Sequence, residues 1–121
     1  MSHALIVGAS RGIGAEFVRQ YRADGWQVTA TARSEGALSA LRDQGAKVIV
    51  LDVASAESAS RLAWQIDGAA FDVVVINAGV YGPRTQGLQP PTEADFDTVM
   101  HTNVLGAMRV LPQLADALAL D

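Results

Sequence analysis

At 121 residues, with 50% hydrophobic and 18% charged, the chain is long enough to bury one core and too apolar for the disordered class. A formal net charge of -4 with nine scattered basic residues leaves no stripe to neutralise a run of phosphates, so no nucleic-acid partner is expected. No apolar run reaches the ~20 residues of a bilayer span, the start carries neither a basic leader nor a long hydrophobic block, and cysteine is absent; a soluble cytoplasmic protein, off the membrane and without disulfides or metal, is therefore expected.

Ala4 to Val7 is a short unbroken apolar run, the pattern of a strand covered on both faces, and it stops at Gly8. From Gly12 onward Ile13, Phe17, Val18 and Tyr21 recur at helical spacing until Asp24-Gly25 ends the segment. Gln27 to Thr31 reads as a second strand, and Ser34 stands where it can cap a helix carrying Leu38 and Leu41 that Gly45 closes. Lys47 to Leu51 is a third strand, Ser55 to Ile66 a helix with Leu62 and Ile66 on one face, and Val73 to Ile76 a fourth strand. Beyond a loop, Thr92 and Asp95 resemble the opening of a capping box, and Phe96, Val99, Met100, Asn103, Val104, Leu111 and Leu118 continue as one long helix that Pro112 should bend.

Short buried strands alternating with helices require right-handed crossovers and a parallel sheet. The expected fold is α/β, a doubly wound Rossmann-type parallel sheet in the order 3-2-1-4 with helices on both faces. Ligands of such sheets collect at the carboxyl ends of the strands where the winding reverses, here between strands one and four, beside Gly8 and Asn77.

The stretch "LIVGASRGIG" places Gly8, Gly12 and Gly14 in the strand-to-helix turn. A diphosphate touches main-chain N–H groups at a helix N-terminus only where no Cβ intervenes and positive φ is allowed, and glycine meets both needs; the plainer alternative is that each glycine closes a turn. Ser10, Arg11 and Ile13 belong to the same candidate phosphate turn, and Ser10 suits phosphate or turn hydrogen bonds better than nucleophilic work, with no histidine base beside it.

The G-x-x-x-G-x-G spacing in "GASRGIG", followed by "LDV" after strand three, "INAG" after strand four and "HTNVLG" in the long helix, resembles the one-domain branch of the short-chain dehydrogenase/reductase family. The resemblance covers the whole chain but only the amino-terminal half of a typical member. It implies a single domain over residues 1–121, the first part of a longer NADP(H)-dependent oxidoreductase acting on a small carbonyl or alcohol. Two positions depart from the family pattern: Val7 stands where a threonine usually precedes the first glycine, and Ile76 where the first asparagine of N-N-A-G would be.

At the tip of strand two an NAD-specific fold normally has an acid for the adenosine ribose, whereas this chain has Ala32 followed by Arg33. Arg33 and Arg11 could converge on the additional phosphate of NADP. By resemblance Asp52 and Val53 would contact the adenine, and Asn77, Ala78 and Gly79 would line the ribose and nicotinamide side. Each has a structural alternative, a loop cap for Asp52 and a strand-ending turn for Asn77 to Gly79.

Of the catalytic residues the resemblance implies, Asn103 matches the asparagine of the proton relay, with a purely structural hydrogen bond as the competing role. The tyrosine-lysine pair is absent: Lys47 is the sole lysine, and neither Tyr21 nor Tyr81 has a lysine four residues on. A lone tyrosine titrates near pH 10 and shuttles protons poorly at neutral pH. A noncatalytic dinucleotide sensor is the alternative function. Self-association is expected through the apolar strand "VVVI" or through the Phe96 to Leu118 helix.

Overall fold

The structure, a computed structural model, describes residues 1–80 and 87–119, so Tyr81 lies outside the described residues. The elements run β1 (His3–Val7), α1 (Gly12–Ala23), β2 (Gln27–Ala32), α2 (Glu35–Asp43), β3 (Lys47–Val50), α3 (Ala56–Ser60), α4 (Leu62–Gln65), β4 (Val73–Ile76), α5 (Glu93–Met100), a π turn (His101–Leu105), α6 (Gly106–Val110) and a 3-10 turn (Leu111–Ala117). The four strands are parallel, as the alternation requires, and stand in the expected order β3-β2-β1-β4. Both neighbours of β1 are thus reached by crossovers of opposite direction, which opens a crevice above Val7.

The register puts alternate residues on the two faces. Ala4, Ile6, Val28 and Ala30 pack beneath α1 and α2 with Val18, Leu38 and Leu41. Leu5, Val7 and Ile49 pack on the other face against Leu62, Ile66, Val110 and Leu114. Each valine, leucine or isoleucine among them, once fully buried, contributes about 1.5–3 kcal/mol relative to exposure. Leu5 to Val7 are fully buried because β1 is central and covered on both sides. Thr29 and Thr31 join the Leu5 face as buried polar residues of β2. At the amino end of the strands the His3 ring meets Thr29 Oγ1 at 2.8 Å and the edge of Phe71, and burial holds its pKa below the usual histidine value.

Two helices depart from expectation. The segment from Ser55 to Ile66 is two pieces, α3 and α4, interrupted at Arg61, where the Arg61 N–H reaches back only three residues to Ser58. The single long helix expected after Thr92 departs from α winding twice. It widens to a π turn at His101–Leu105, where Asn103 is tied to Val80 and Gly106 closes on Val53, and tightens to 3-10 from Leu111 because Pro112 has no N–H to continue the α ladder. Thr92 and Ser55 do cap their helices through Asp95 N–H and Ser58 N–H, but the Ser34 side chain makes no capping bond.

Beyond Phe71, the β4 residues are only half-buried. Leu118 pairs with Phe71 in parallel, the Phe71 N–H donating to Ala117 O at 2.7 Å and the Ala119 N–H to Phe71 O at 2.8 Å. On the last helical segments Phe96, Met108 and Leu111 are more than half exposed. Among the described residues no helix is long and apolar enough to cross a membrane.

Candidate functional site

The crevice is built around the two peptide groups that meet at Gly8. Gly8 leaves β1 at φ 88° and donates its N–H to Thr31 Oγ1 at 3.1 Å, while its carbonyl accepts from Asn77 Nδ2 at 3.2 Å. A Cβ at Gly8 would stand 2.6 Å from Ala78 N, so the turn can lie this close to β4 only as glycine. Gly14 is buried against the same peptide: a Cβ there would come within 2.0 Å of Gly8 O. Gly12 is different, exposed at φ 60° with nothing within 4 Å of where its Cβ would be. Two of the three glycines therefore serve packing and one leaves open space.

That open space lies at the start of α1. The first-turn N–H groups of a helix have no intrahelical acceptors, and Arg11 at the N-cap, with extended backbone, supplies no capping bond. No acid stands in this turn, in contrast to Glu35 in α2, Glu57 in α3 and the Glu93–Asp95 pair in α5. The first turn of α1 therefore offers no carboxylate to offset the partial positive charge of the terminus. Ser10 and Arg11 are exposed and Ile13 is 66% exposed beside them. Arg33, immediately past β2, is exposed too, and neither Arg11 nor Arg33 enters an ion pair among the described residues. Those pairs are Arg19–Glu16, Arg42–Glu35 and Arg61–Glu57, all on the surface; the Arg19 hydrogen bond, with that of Gln20, holds the Glu16 carboxyl at about 2. An open glycine, uncapped donors and two guanidiniums without a carboxylate partner among the described residues fit an anionic group with several oxygens.

The remaining predicted residues follow β3 and β4 or lie in the π turn. Asp52 follows β3 and accepts from Ala54 N–H at 3.0 Å through Oδ1, so its loop-capping alternative is realised; its own N–H donates to Ser58 Oγ at 2.9 Å. Val53 is 4% exposed and packs on Gly106, where a Cβ would meet it at 2.9 Å. Asn77 extends β4 by one bond, its N–H to Val7 O at 2.8 Å. Asn103 lies in the π turn and grips Val80 at two points, Oδ1 accepting from the Val80 N–H at 2.7 Å and Nδ2 donating to the Val80 carbonyl at 2.8 Å. Gly79 passes so near that a Cβ would meet Asn103 Oδ1 at 3.0 Å. Gly8, Gly14, Asn77, Ala78, Gly79 and Asn103 are therefore joined by direct contacts, whereas Ser10, Arg11 and Arg33 reach none of them by a hydrogen bond among the described residues. No cluster of three or more metal-ligating side chains occurs among those residues.

Residues 2–120 match the short chain dehydrogenase family. The chain belongs to that family. This short-chain dehydrogenase chain is 32% identical over 114 residues to an NADPH-dependent pterin aldehyde reductase of Arabidopsis thaliana, covering 88% of the chain and 47% of the relative. It superimposes with a TM-score of 0.87 on a short-chain dehydrogenase/reductase of Burkholderia multivorans with bound NADP, at 33% identity over 98% of this chain and 54% of that one. A carbonyl reductase of Pseudomonas aeruginosa PAO1 in complex with NADP gives a TM-score of 0.81 at 28% identity, covering 98% and 56%. The chain spans about half the length of the relatives it matches.

Two features of this short-chain dehydrogenase site have no counterpart in the motif reading. Arg109 Nη1 donates to Ala54 O at 2.9 Å and lies 3.2 Å from His101 Nε2, tying the loop after β3 to the π turn. Its sequence signal was a lone arginine in the apolar run "GAMRVL". The other is Thr31, hidden as one more β-branched strand residue. For Asn103 the geometry gives a direct expectation: Asn103→Leu, which removes both bonds to Val80, should lower stability by about 1–2 kcal/mol and loosen Asn77 to Val80, measured as faster amide exchange there. Unchanged exchange would make the two bonds incidental.

Proposed function

We propose that this chain is the NADP(H)-binding part of an oxidoreductase that moves hydride between the nicotinamide and a small carbonyl or alcohol. The observation that carries the reading is the uncapped, acid-free start of α1 beside open, positive-φ Gly12. A diphosphate supplies the acceptors and charge that this terminus lacks. In this reading Gly8, Ser10, Arg11, Gly12, Ile13 and Gly14 form the diphosphate turn, and Arg11 with Arg33 takes the additional phosphate. Asp52 and Val53 border the adenine; Asn77, Ala78 and Gly79 line the ribose and nicotinamide side. Relatives described as using NADPH or holding NADP support the choice of cofactor.

The nicotinamide supplies or takes up hydride when bound. Asn103 contributes by holding the Asn77–Val80 loop in place. The tyrosine-lysine pair for proton transfer is not among these 121 residues, so turnover is assigned to a longer cytoplasmic protein of which they form the first part. Self-association through the β4 edge or the exposed side of the last helical segments belongs to the same proposal.

Thermal unfolding with each nucleotide tests the reading. NADPH at ~100 times its dissociation constant should add about 2.7 kcal/mol to the native state, and NADH at the same concentration much less. Equal shifts would remove the preference for NADP, and no shift with either would remove the dinucleotide. Oxidation of NADPH with ketones and aldehydes by the intact gene product separates an enzyme from a sensor.

A further inference from the structure

We propose that Thr31 is a positioning residue for the phosphate turn: the hydroxyl and carbonyl of this buried β2 residue set the two peptides that flank the first glycine, and with them the open start of α1. The inference rests on the dinucleotide reading above.

The last backbone pair between β1 and β2 is Ile6 with Ala30, so beyond it the regular ladder offers the emerging turn nothing. Thr31 fills that gap twice. Its Oγ1 accepts the Gly8 N–H at 3.1 Å, and its carbonyl accepts the Ala9 N–H at 2.8 Å. Thr31 is 1% exposed, so water does not readily replace the hydroxyl. On the opposite side Asn77 Nδ2 donates to the Gly8 carbonyl at 3.2 Å, and Gly14 presses on that oxygen from α1. The two peptides on either side of the Gly8 Cα are thereby held, the first from β2 and the second from β2, from β4 and from the helix.

Among the described residues no side chain of the turn itself accepts the Gly8 N–H, and the exposed Ser10 hydroxyl makes no bond to it. Val7, immediately before Gly8, is fully buried in the apolar core and has no polar side-chain atom. A polar group on the neighbouring strand therefore supplies the bond. Removing it leaves the Gly8 N–H half-buried without its acceptor, and the turn regains that hydrogen bond only by moving. Movement of Gly8 carries Gly14 with it, because no space separates them, and so shifts the donors of the first helical turn.

Thr31→Val keeps the shape of the side chain and deletes the acceptor; Thr31→Ser keeps the acceptor. Each variant and the wild type would be titrated with NADPH by nicotinamide fluorescence, and amide exchange at Gly8 and Ala9 would be followed without nucleotide. The valine variant should bind NADPH about tenfold more weakly and exchange Gly8 faster, and serine should restore both. A merely structural role would lower the melting temperature of the apo protein while leaving the affinity of the folded fraction unchanged. Should the valine variant not fold, Thr31→Ala removes the same acceptor from a smaller side chain and carries the same expectation. A folded variant lacking the hydroxyl that binds NADPH like the wild type, or that protects Gly8 equally, overturns the inference alone. Failure of the wild type itself to bind NADPH or NADH overturns the dinucleotide reading and this inference together.

Discussion

Gly14→Ala is expected to unfold or severely destabilise the chain, whereas Gly12→Ala is expected to leave it folded and unable to bind nucleotide well. The added methyl at residue 14 would lie 2.0 Å from Gly8 O and 2.9 Å from Asn77 Nδ2. The first is main chain, so relief requires α1 to lift from β1, at an expected loss of at least about 3 kcal/mol. That is a large share of the 5–15 kcal/mol typical of a domain. At residue 12 the methyl meets no atom, and its strain is the left-handed backbone, about 1–2 kcal/mol. It would nevertheless occupy the open space before the uncapped turn and reduce NADPH affinity by at least about tenfold. Denaturant melts and NADPH titrations of both variants check the contrast. Equal stability losses would mean that the two glycines share one role.

The second large effect concerns cofactor choice. Replacing Arg11 and Arg33 together by alanine should weaken NADPH binding on the order of a hundredfold or more while changing NADH binding little, since hydrogen bonds to charged groups contribute about 1.5–3 kcal/mol each. Stability should barely change, within about 0.5 kcal/mol, because both side chains are exposed and neither pairs with a described carboxylate. Added salt should narrow the NADPH–NADH difference in the wild type and leave the double variant almost unaffected. Parallel loss of affinity for both nucleotides would show that the arginines hold the diphosphate instead of selecting the phosphorylated ribose.

The strands were legible because each is a short run rich in apolar and β-branched residues, and their parallel pairing followed from the alternation with helices; β1 and β2 are buried on both faces, and the edge strand β4 is found at Val73–Ile76, as its run of valines indicates. The glycine turn was legible as a pattern, but its division of labour was not. Gly8 and Gly14 are constrained by Ala78 and by each other across the fold, and such distances are invisible to spacing. The long helix misled for the same reason. Its periodicity continues through residues 93–117, yet the winding is set by Val80 and Val53, 23 and 53 residues before Asn103 and Gly106, and by the missing donor of Pro112. Asn103 was singled out by its motif, while its partners emerged only in three dimensions. Thr31 and Arg109 bond to main-chain atoms, which carry no residue identity to signal the pairing.

The two ties on Gly8 also imply a sequence of events during folding. The link to Thr31 closes a separation of 23 residues and the link to Asn77 one of 69, a difference in loop-closure entropy of about 1 kcal/mol. A growing polypeptide that has emerged only through β2 can anchor the first glycine on one side, but the opposing anchor must await β4. On the proposed dinucleotide reading, capture therefore awaits β4, and a ribosome-tethered intermediate ending before residue 77 should remain blind to NADPH even with its glycines in place.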